Sequence, residues 1–551
     1  MTLAAFEMPG VNYPPADLVK TYIEKGYLVD VPLATALRDT FAGHEEALAL
    51  NGPDGQMSYA QLNNKSDRFA AALLDLGLEP LDRVVFQVVN SIEVIVALTA
   101  CWKANLIPVC TLAAHRQAEI SYLGNHAEAK AHFIGVEENF DFLAFAAEMR
   151  AEVPSLEYTI IIRGEGGDGL PSMTKLIEGQ DSVAAAARIG AMEYDPYQVA
   201  VFQLSGGTTS IPKIIPRFSN EYLYNITSWA HKLEFTSSDS MHAPLQLVHN
   251  AGALNAFALL MRGGTLLVST ANDPLSTIGL LQEFKPTVFF MLSAPLKRMS
   301  DMGIVDMLDL SGTRLVISPN AARQTEEVLG VTGVHIFGMT EGVCTFGRKS
   351  DPQEARYTTI GTPLSAGDEM KIYDPEEDRE LPKGEVGELV IKGPYTFHGY
   401  YNADERNAEV FTDDGYYRSG DLMSVHEFDG EDFWTFEGRL KDFVNRGGEK
   451  INCEEVEMAA RQHPGIADIA IVAMPDQEMD EKACAFVVPA IVTKAPDVKG
   501  LMQFLVEKGM AKFKCPERIE IIDEFPQTDS GKTSKPKMKQ MIVDILAREE
   551  A

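Results

Sequence analysis

Positive charge is what this chain has too little of. Its 551 residues carry 48 Lys and Arg against 80 Asp and Glu, a formal net charge of -32. With no basic run to concentrate the cations, a nucleic-acid backbone is excluded as a partner. Cysteine is also sparse: six residues, at 101, 110, 344, 453, 484 and 515. None forms a Cys-x-x-Cys pair, and the density is too low for a disulfide framework, so reduced thiols and a cytoplasmic setting are expected. Long apolar runs are missing as well. The longest, Val94–Trp102, falls short of the ~18 residues a membrane span needs and reads as a buried helix. The opening Met1-Thr-Leu-Ala-Ala-Phe-Glu-Met-Pro-Gly has no basic stretch followed by an apolar core, so neither a signal peptide nor a membrane partner is expected. No internal repeat is visible.

A hydrophobic content of 45% over this length exceeds what one core absorbs, so at least two domains are expected. Apolar runs at Arg83–Val89, Tyr158–Ile162, Val199–Leu204, Thr265–Ser269 and Val288–Leu292 alternate with helical patterns such as Ser66–Leu76. That alternation predicts an α/β protein with parallel sheets covered by helices. From about Leu364 the text changes to short strands, Glu369–Tyr373, Glu388–Lys392 and Asp432–Phe436, which predict a small β-rich subdomain. After Arg439 a compact α/β segment follows, with apolar runs Ile469–Ala473 and Cys484–Val488 and an amphipathic helix from Lys535.

Chemistry concentrates first at Leu204-Ser-Gly-Gly-Thr-Thr-Ser-Ile-Pro-Lys213, after a predicted strand. Gly206 and Gly207 let backbone approach a ligand closely, Ser205, Thr208, Thr209 and Ser210 offer hydroxyls, and Lys213 adds a cation. This suits polyphosphate. It is not a P-loop, because Pro212 precedes the lysine where a Gly-Lys-Ser/Thr ending should open a helix. Read alone, the segment is equally a solvated Ser/Thr turn. Gly164-Glu-Gly-Gly-Asp-Gly169 satisfies G-x-G-x-x-G by letter only: Leu170-Pro171-Ser172 follows where a long helix should start. It reads as a surface turn.

Five further segments follow in order: Phe337-Gly-Met-Thr-Glu341, Tyr417-Arg-Ser-Gly-Asp421, Gly438-Arg-Leu-Lys-Asp442, Asn445-Arg-Gly-Gly-Glu-Lys450 and Pro526-Gln-Thr-Asp-Ser-Gly-Lys532. With the opening loop they resemble the acyl-adenylate-forming superfamily of acyl-CoA synthetases, luciferases and adenylation domains. Tyr22-Ile-Glu-Lys-Gly-Tyr27, His115-Arg-Gln-Ala-Glu-Ile120, Gly393-Pro-Tyr-Thr-Phe-His-Gly-Tyr-Tyr401 and Phe513-Lys-Cys-Pro516 are most similar to its aryl acid AMP ligases, the 2,3-dihydroxybenzoate and salicylate enzymes of siderophore assembly. The resemblance implies residues 1–438 as an adenylation domain and 439–551 as a mobile lid.

It further implies ATP and Mg²⁺ as cofactors and an aromatic carboxylic acid as substrate. A phosphopantetheinyl aryl carrier protein or CoA would accept the product; a homodimer is left open. Lys532 would bridge the carboxylate and the α-phosphate, Thr340 would bind that phosphate and Glu341 would ligate the metal. Ser205 to Ser210 with Lys213, Ile336, Phe337, Gly338, Met339, Asp421, Arg439, Lys441 and Lys450 would line the ATP site. Within it Phe337 would lie against adenine, Asp421 would accept the ribose hydroxyls, and Lys441 would mark the hinge. Gly447 and Gly448 would line a pantetheine tunnel, since a thin thiol arm needs backbone without side chains.

Taken singly, Glu341 also reads as a solvated carboxylate, Asp421 as a cap, and Lys532 as a turn lysine. For the acid, His249 and Asn250 resemble a His-Asn pair that reads a phenolic hydroxyl, with Ser318 and Gly338 beside them. Here Ala251-Gly-Ala-Leu254 follows, where relatives that bind dihydroxybenzoate are serine-rich; Ile317-Ser-Pro-Asn320 replaces a Gly-Gly-Ala wall, and Ser210 replaces a usual glycine. Two other readings stand beside the aryl acid ligase: an aryl-CoA ligase using free CoA, and a catalytically inactive protein on this scaffold. A luciferase would share every nucleotide motif.

Overall fold

The computed structural model describes residues 2–135, 140–164, 169–205, 213–242, 244–269, 274–291, 296, 299–300, 303–319, 321–375, 377–440, 443–490, 495–526 and 534–549. Two large sheets organise the N-terminal part. A six-stranded sheet runs Tyr158–Arg163, Ala131–Gly135, Arg83–Gln87, Ile107–Val109, Val199–Ser205, Lys213–Phe218. A seven-stranded sheet runs Gly333–Val334, Leu315–Ile317, Val288–Phe290, Ser240–His242, Thr265–Leu267, Leu48–Gly52, Gly55–Ser58. The expected parallel pairing holds inside both sheets. One edge of each is antiparallel, where Leu48–Gly52 meets Gly55–Ser58 and Val199–Ser205 meets Lys213–Phe218, because a short connection can only reverse the chain.

The main core lies between the two sheets. Val84 and Phe86 of one sheet and Leu50, Met241, Leu266, Val288 and Phe290 of the other belong to one buried cluster, while their strand neighbours Val85 and Phe289 face different clusters. Period-two alternation thus turns one face of each sheet to a shared layer of helices. The helix Ile92–Lys103 has every residue but Glu93 buried, as the apolar run Val94–Trp102 predicts. Lys103 survives there because its ammonium bonds to Asp67 at 2.6 Å, to Ser66 at 2.8 Å and to Asn63. The helix predicted from Ser66 begins earlier, at Tyr59, because Ser58 and Gln61 close a capping box.

A three-stranded sheet, Ile336–Met339, Val343–Phe346 and Thr362–Pro363, and a four-stranded sheet, Glu369–Tyr373, Gly387–Lys392, Tyr417–Phe428 and Glu431–Arg439, make up the β-rich part. From Phe443 the chain builds a separate sheet with Phe443–Arg446, Glu449–Asn452, Ile466–Asp476, Asp480–Pro489 and Arg518–Ile521. Helices Cys453–Ala460 and Val498–Glu507 pack one cluster on it and helix Lys535–Glu549 another. No described helix is long and apolar enough to cross a membrane.

Candidate active site

The Thr340-Glu341 pair sits at the tip of the hairpin formed by Ile336–Met339 and Val343–Phe346. Gly342 makes that tip possible: its φ is +107°, and a Cβ there would lie 2.0 Å from the Tyr395 carbonyl oxygen. Glu341 is 7% exposed. Its Oε1 accepts a 2.8 Å hydrogen bond from the Tyr400 hydroxyl, which lies 3.1 Å from the Tyr417 hydroxyl. Burial, then the Glu341 charge, holds both phenols well above the ordinary tyrosine pKa. They remain protonated donors. The face of the Tyr400 ring carries the Lys213 ammonium, 4.8 Å from the ring centroid.

Lys213 pairs in register with Ser205. The two ends of the Ser/Thr/Gly loop are thereby drawn together, while Gly206, Gly207, Thr208, Thr209 and Ser210 lie outside the described residues. Ser205 is buried and its hydroxyl meets no partner among the described residues. Thr340 Oγ1 points back to the Leu204 carbonyl at 3.4 Å. The loop neck and the Thr-Glu tip are therefore one site.

A fully buried guanidinium fixes that site from behind. Arg217 donates to the Thr340 carbonyl at 3.0 Å and the Tyr395 carbonyl at 3.3 Å, and is clamped by Glu221. Burial would strip its charge, but Glu221 more than offsets that and raises the arginine pKa.

Phe337 lies on the same hairpin, its ring stacked on Phe436 at 5.6 Å and 29°. Gly338 between Phe337 and Met339 is exposed, and a Cβ there would meet Cys344 Sγ and the Val343 carbonyl at 3.1 Å. The hairpin so presents a bare backbone edge. Ile336 packs against the main core and Met339 against that of the β-rich part. Asp421 is 2% exposed, its N–H donates to Ser419 Oγ at 3.0 Å, and it pairs in register with Arg439. Lys441 lies outside the described residues.

His249 caps the helix Asn250–Leu260, its Nδ1 accepting from the Ala251 N–H. His249 is exposed at the surface, and the protein atoms around its imidazole, and next the Lys450 ammonium, lower its pKa to about 4. Asn250 is 6% exposed, and its Oδ1 meets no partner among the described residues. Ala253 and Leu254, which stand where relatives are serine-rich, pack into the main core. Ser318 also differs from expectation: its hydroxyl donates to the Met291 carbonyl at 2.7 Å and accepts from Thr325 at 2.9 Å. That side chain ties the end of the strand Val288–Phe290 to the helix Ala322–Leu329. Asn320 lies outside the described residues.

In the C-terminal sheet, Gly447 and Gly448 have φ of +57° and +95° and form the turn between Arg446 and Glu449. Two left-handed residues in succession make the tight hairpin turn that glycine favours. Lys450 follows on the returning strand, with its charge felt at His249. Lys532 lies outside the described residues, as do the central residues of the Gly164–Gly169 turn.

Arg217, Tyr400, Tyr417 and Phe436 were missed by sequence reasoning. Tyr400 stood in a motif already singled out, and an arginine inside Ile-Ile-Pro-Arg-Phe with a glutamate four residues on was a signal of a buried pair.

Comparison with known proteins bears on what this arrangement is. A family model described as AMP-binding enzyme matches residues 37–401, and one described as AMP-binding enzyme C-terminal domain matches residues 455–532. The 2,3-dihydroxybenzoate-AMP ligase of Bacillus subtilis is 34% identical, over 97% of this chain and 97% of its own. A salicylyl-CoA synthase / salicylate adenylyltransferase from a Streptomyces species is 33% identical, over 96% of this chain and 97% of its own. The apo structure of MbtA from Mycobacterium smegmatis superposes with a TM-score of 0.73 at 28% identity, covering 96% of this chain and 98% of that one. A nucleotide-type loop neck joined to a buried Thr-Glu tip, on a chain matched along nearly its whole length, belongs to the AMP-binding enzyme family, and the chain is an acid–AMP ligase of the aryl acid type.

Proposed function

We propose that this protein adenylates an aromatic carboxylic acid of the salicylate or dihydroxybenzoate type with ATP, then hands the acyl group to a pantetheine thiol. The observation that carries the reading is Tyr400, which bridges Lys213 and Glu341 and so sets a fixed cation and a carboxylate side by side at the loop neck. Negative charge gathers there in the first half-reaction. A carboxylate oxygen forms a bond to the α-phosphorus while the bond to pyrophosphate breaks, and charge builds on the non-bridging oxygens. Lys213 and the hydroxyls of Ser205 and Thr340 are donors for those oxygens, and Lys532 bridges the two reactants. Asp421 takes the ribose and Phe337 the adenine.

Glu341 suits Mg²⁺. A single buried carboxylate, with no cluster of three or more His, Cys, Asp or Glu among the described residues, fits a hard cation whose remaining oxygens come from phosphate and water. When bound, the ion would neutralise phosphate charge.

In the second half-reaction the thiol sulfur bonds to the acyl carbon, the acyl–phosphate bond breaks, AMP leaves and the thiol proton is released. We assign residues 1–438 to acid and ATP binding and 439–551 to the lid, with Lys441 at the hinge and Gly447-Gly448 against the thiol arm. The aryl carrier protein is the acceptor we favour; free CoA is the second reading, which the name of the Streptomyces relative supports.

Salicylate is preferred over 2,3-dihydroxybenzoate, because Asn250 Oδ1 is one buried acceptor without a partner among the described residues, a match for one phenolic hydroxyl rather than two. A buried polar group left unpaired discriminates strongly against ligands that lack its partner. The test is pyrophosphate exchange over a panel of benzoates, followed by thioester detection with CoA and with a phosphopantetheinylated aryl carrier domain. Asn250→Ala should raise KM for salicylate more than for benzoate. Preference for 2,3-dihydroxybenzoate, or an equal effect on both acids, refutes the assignment of the ring-reading group.

A further inference from the structure

One buried ion cluster joins the two parts of the chain, and no step above uses it. Lys514, in the turn Lys512–Lys514 of the C-terminal unit, lies 2.8 and 3.0 Å from the carboxylate oxygens of Glu455 and 3.3 Å from Glu119 Oε1. All three side chains are largely buried, at 12%, 16% and 5% exposure. Glu455 belongs to the same unit as the lysine. Glu119 belongs to the helix Gln117–His126 of the N-terminal part, where its Oε2 accepts from the Arg116 N–H at 3.0 Å and closes the helix start. The acceptor is thus held rigidly on one side and the donor keeps a local partner on the other. Burial would push the ammonium towards neutrality, but Glu455 and then Glu119 raise its pKa above the ordinary lysine value.

The same face makes a second contact. A Cβ built on Gly509 would lie 3.5 Å from Ala118 Cβ, one residue from Glu119. In this orientation the Lys450 charge, on the strand after the Gly447-Gly448 turn, is felt at His249.

We propose that Glu119 is a positioning residue for the thioester-forming half-reaction: by pairing with Lys514 it holds the C-terminal unit with its Gly447–Lys450 hairpin towards His249. This rests on the reading that Gly447-Gly448 serves the thiol step and Lys532 the adenylation step. The device breaks cheaply. When the unit turns away, Lys514 keeps Glu455, so no cation is left buried without a partner, the costly outcome for ion pairs.

Glu119→Gln retains an acceptor for the Arg116 N–H and removes only the charge. Pyrophosphate exchange should stay at the wild-type rate, and thioester formation from supplied salicyl-adenylate, with whichever of a phosphopantetheinylated aryl carrier domain and CoA the wild type uses, should fall by about tenfold, the factor given by ~1.4 kcal/mol of lost orientation preference. A structural defect would slow both. Independently, Ala118→Cys with Gly509→Cys places two Cβ atoms at disulfide separation; Gly509 stands at φ +90°, where a side chain is strained, so the reduced double variant is the reference for the oxidised one, and the native cysteines are all buried. The oxidised double variant should lose pyrophosphate exchange and keep thioester formation, with reductant restoring exchange. Equal losses in both half-reactions, no change in either for Glu119→Gln, or exchange surviving oxidation overturns the proposal. A wild-type chain that makes neither product overturns the ligase reading, and this inference with it.

Discussion

Replacing Arg217 by Met separates what the buried ion pair does for stability from what it does for the site. The substitution keeps volume but leaves the Glu221 carboxylate, 6% exposed, without its counter-ion. Breaking one half of a buried pair costs about 3–5 kcal/mol, so the single variant should show a clearly lowered thermal midpoint at fixed scan rate. It also frees the Thr340 carbonyl, held at 3.0 Å, and the Tyr395 carbonyl against which Gly342 packs. A displacement of even ~1 Å at a reacting geometry costs about 10²-fold in rate. The companion variant Arg217→Met with Glu221→Leu removes both charges and should recover most of the midpoint, since apolar replacement of a whole buried pair is often neutral or better. Its adenylation rate, read by pyrophosphate exchange with saturating ATP, should remain depressed by about 10²-fold. Wild-type exchange in the double variant would refute the argument that Arg217 positions the Thr340-Glu341 tip; exchange that recovers in step with the midpoint would show that stability alone was at stake.

Tyr400→Phe removes the 2.8 Å donor to Glu341 while keeping the ring under Lys213; the Mg²⁺ concentration for half-maximal exchange should rise several-fold, and an unchanged requirement refutes the metal assignment. Lys532→Ala should lower adenylation by about 10²-fold, the size of one lost transition-state charge contact, and spare thioester synthesis from supplied aryl-adenylate; equal loss in both half-reactions would count against it. Asp368 accepts from the Tyr395 hydroxyl at 2.5 Å and the Ser365 N–H at 3.0 Å, and burial raises its pKa from 3.8 to about 7. The folded state then binds the proton more tightly than the unfolded chain, so this contribution to stability is full below pH 3.8 and is lost as pH rises through about 7. Thermal midpoints measured from pH 5 to 8 should decline less for Asp368→Asn than for the wild type; identical slopes would remove Asp368 as the cause.

Much of this was legible because apolar runs and turn chemistry act locally. The strands at Arg83, Tyr158, Val199 and Val288 begin where their β-branched and aromatic runs begin, and Val94–Trp102 announced a helix buried on every side. Pairing direction was not legible, because the apolar run of Lys213–Phe218 reads alike whether it lies parallel or antiparallel to its neighbour. Site partners at long range were hidden for the same reason. Tyr400 is 59 residues from Glu341, and Arg217 is 123 from Thr340; neither spacing has a period to detect. The hydrogen bonds of Ser318 to Met291 and Thr325 were not legible, because a motif gives the order of residues but not which face of a strand or helix they occupy.

The stacked rings of Phe337 and Phe436 have a mechanical consequence. Phe436 stands on Glu431–Arg439, the strand from which the chain leaves for the C-terminal sheet. Phe337 stands on the hairpin that carries Glu341. Anything that leans on the outer face of Phe337 leans, through one ring, on the strand that leads to the C-terminal sheet; under the proposed assignment of Phe337 to adenine, filling the base site would load the root of the proposed lid sideways.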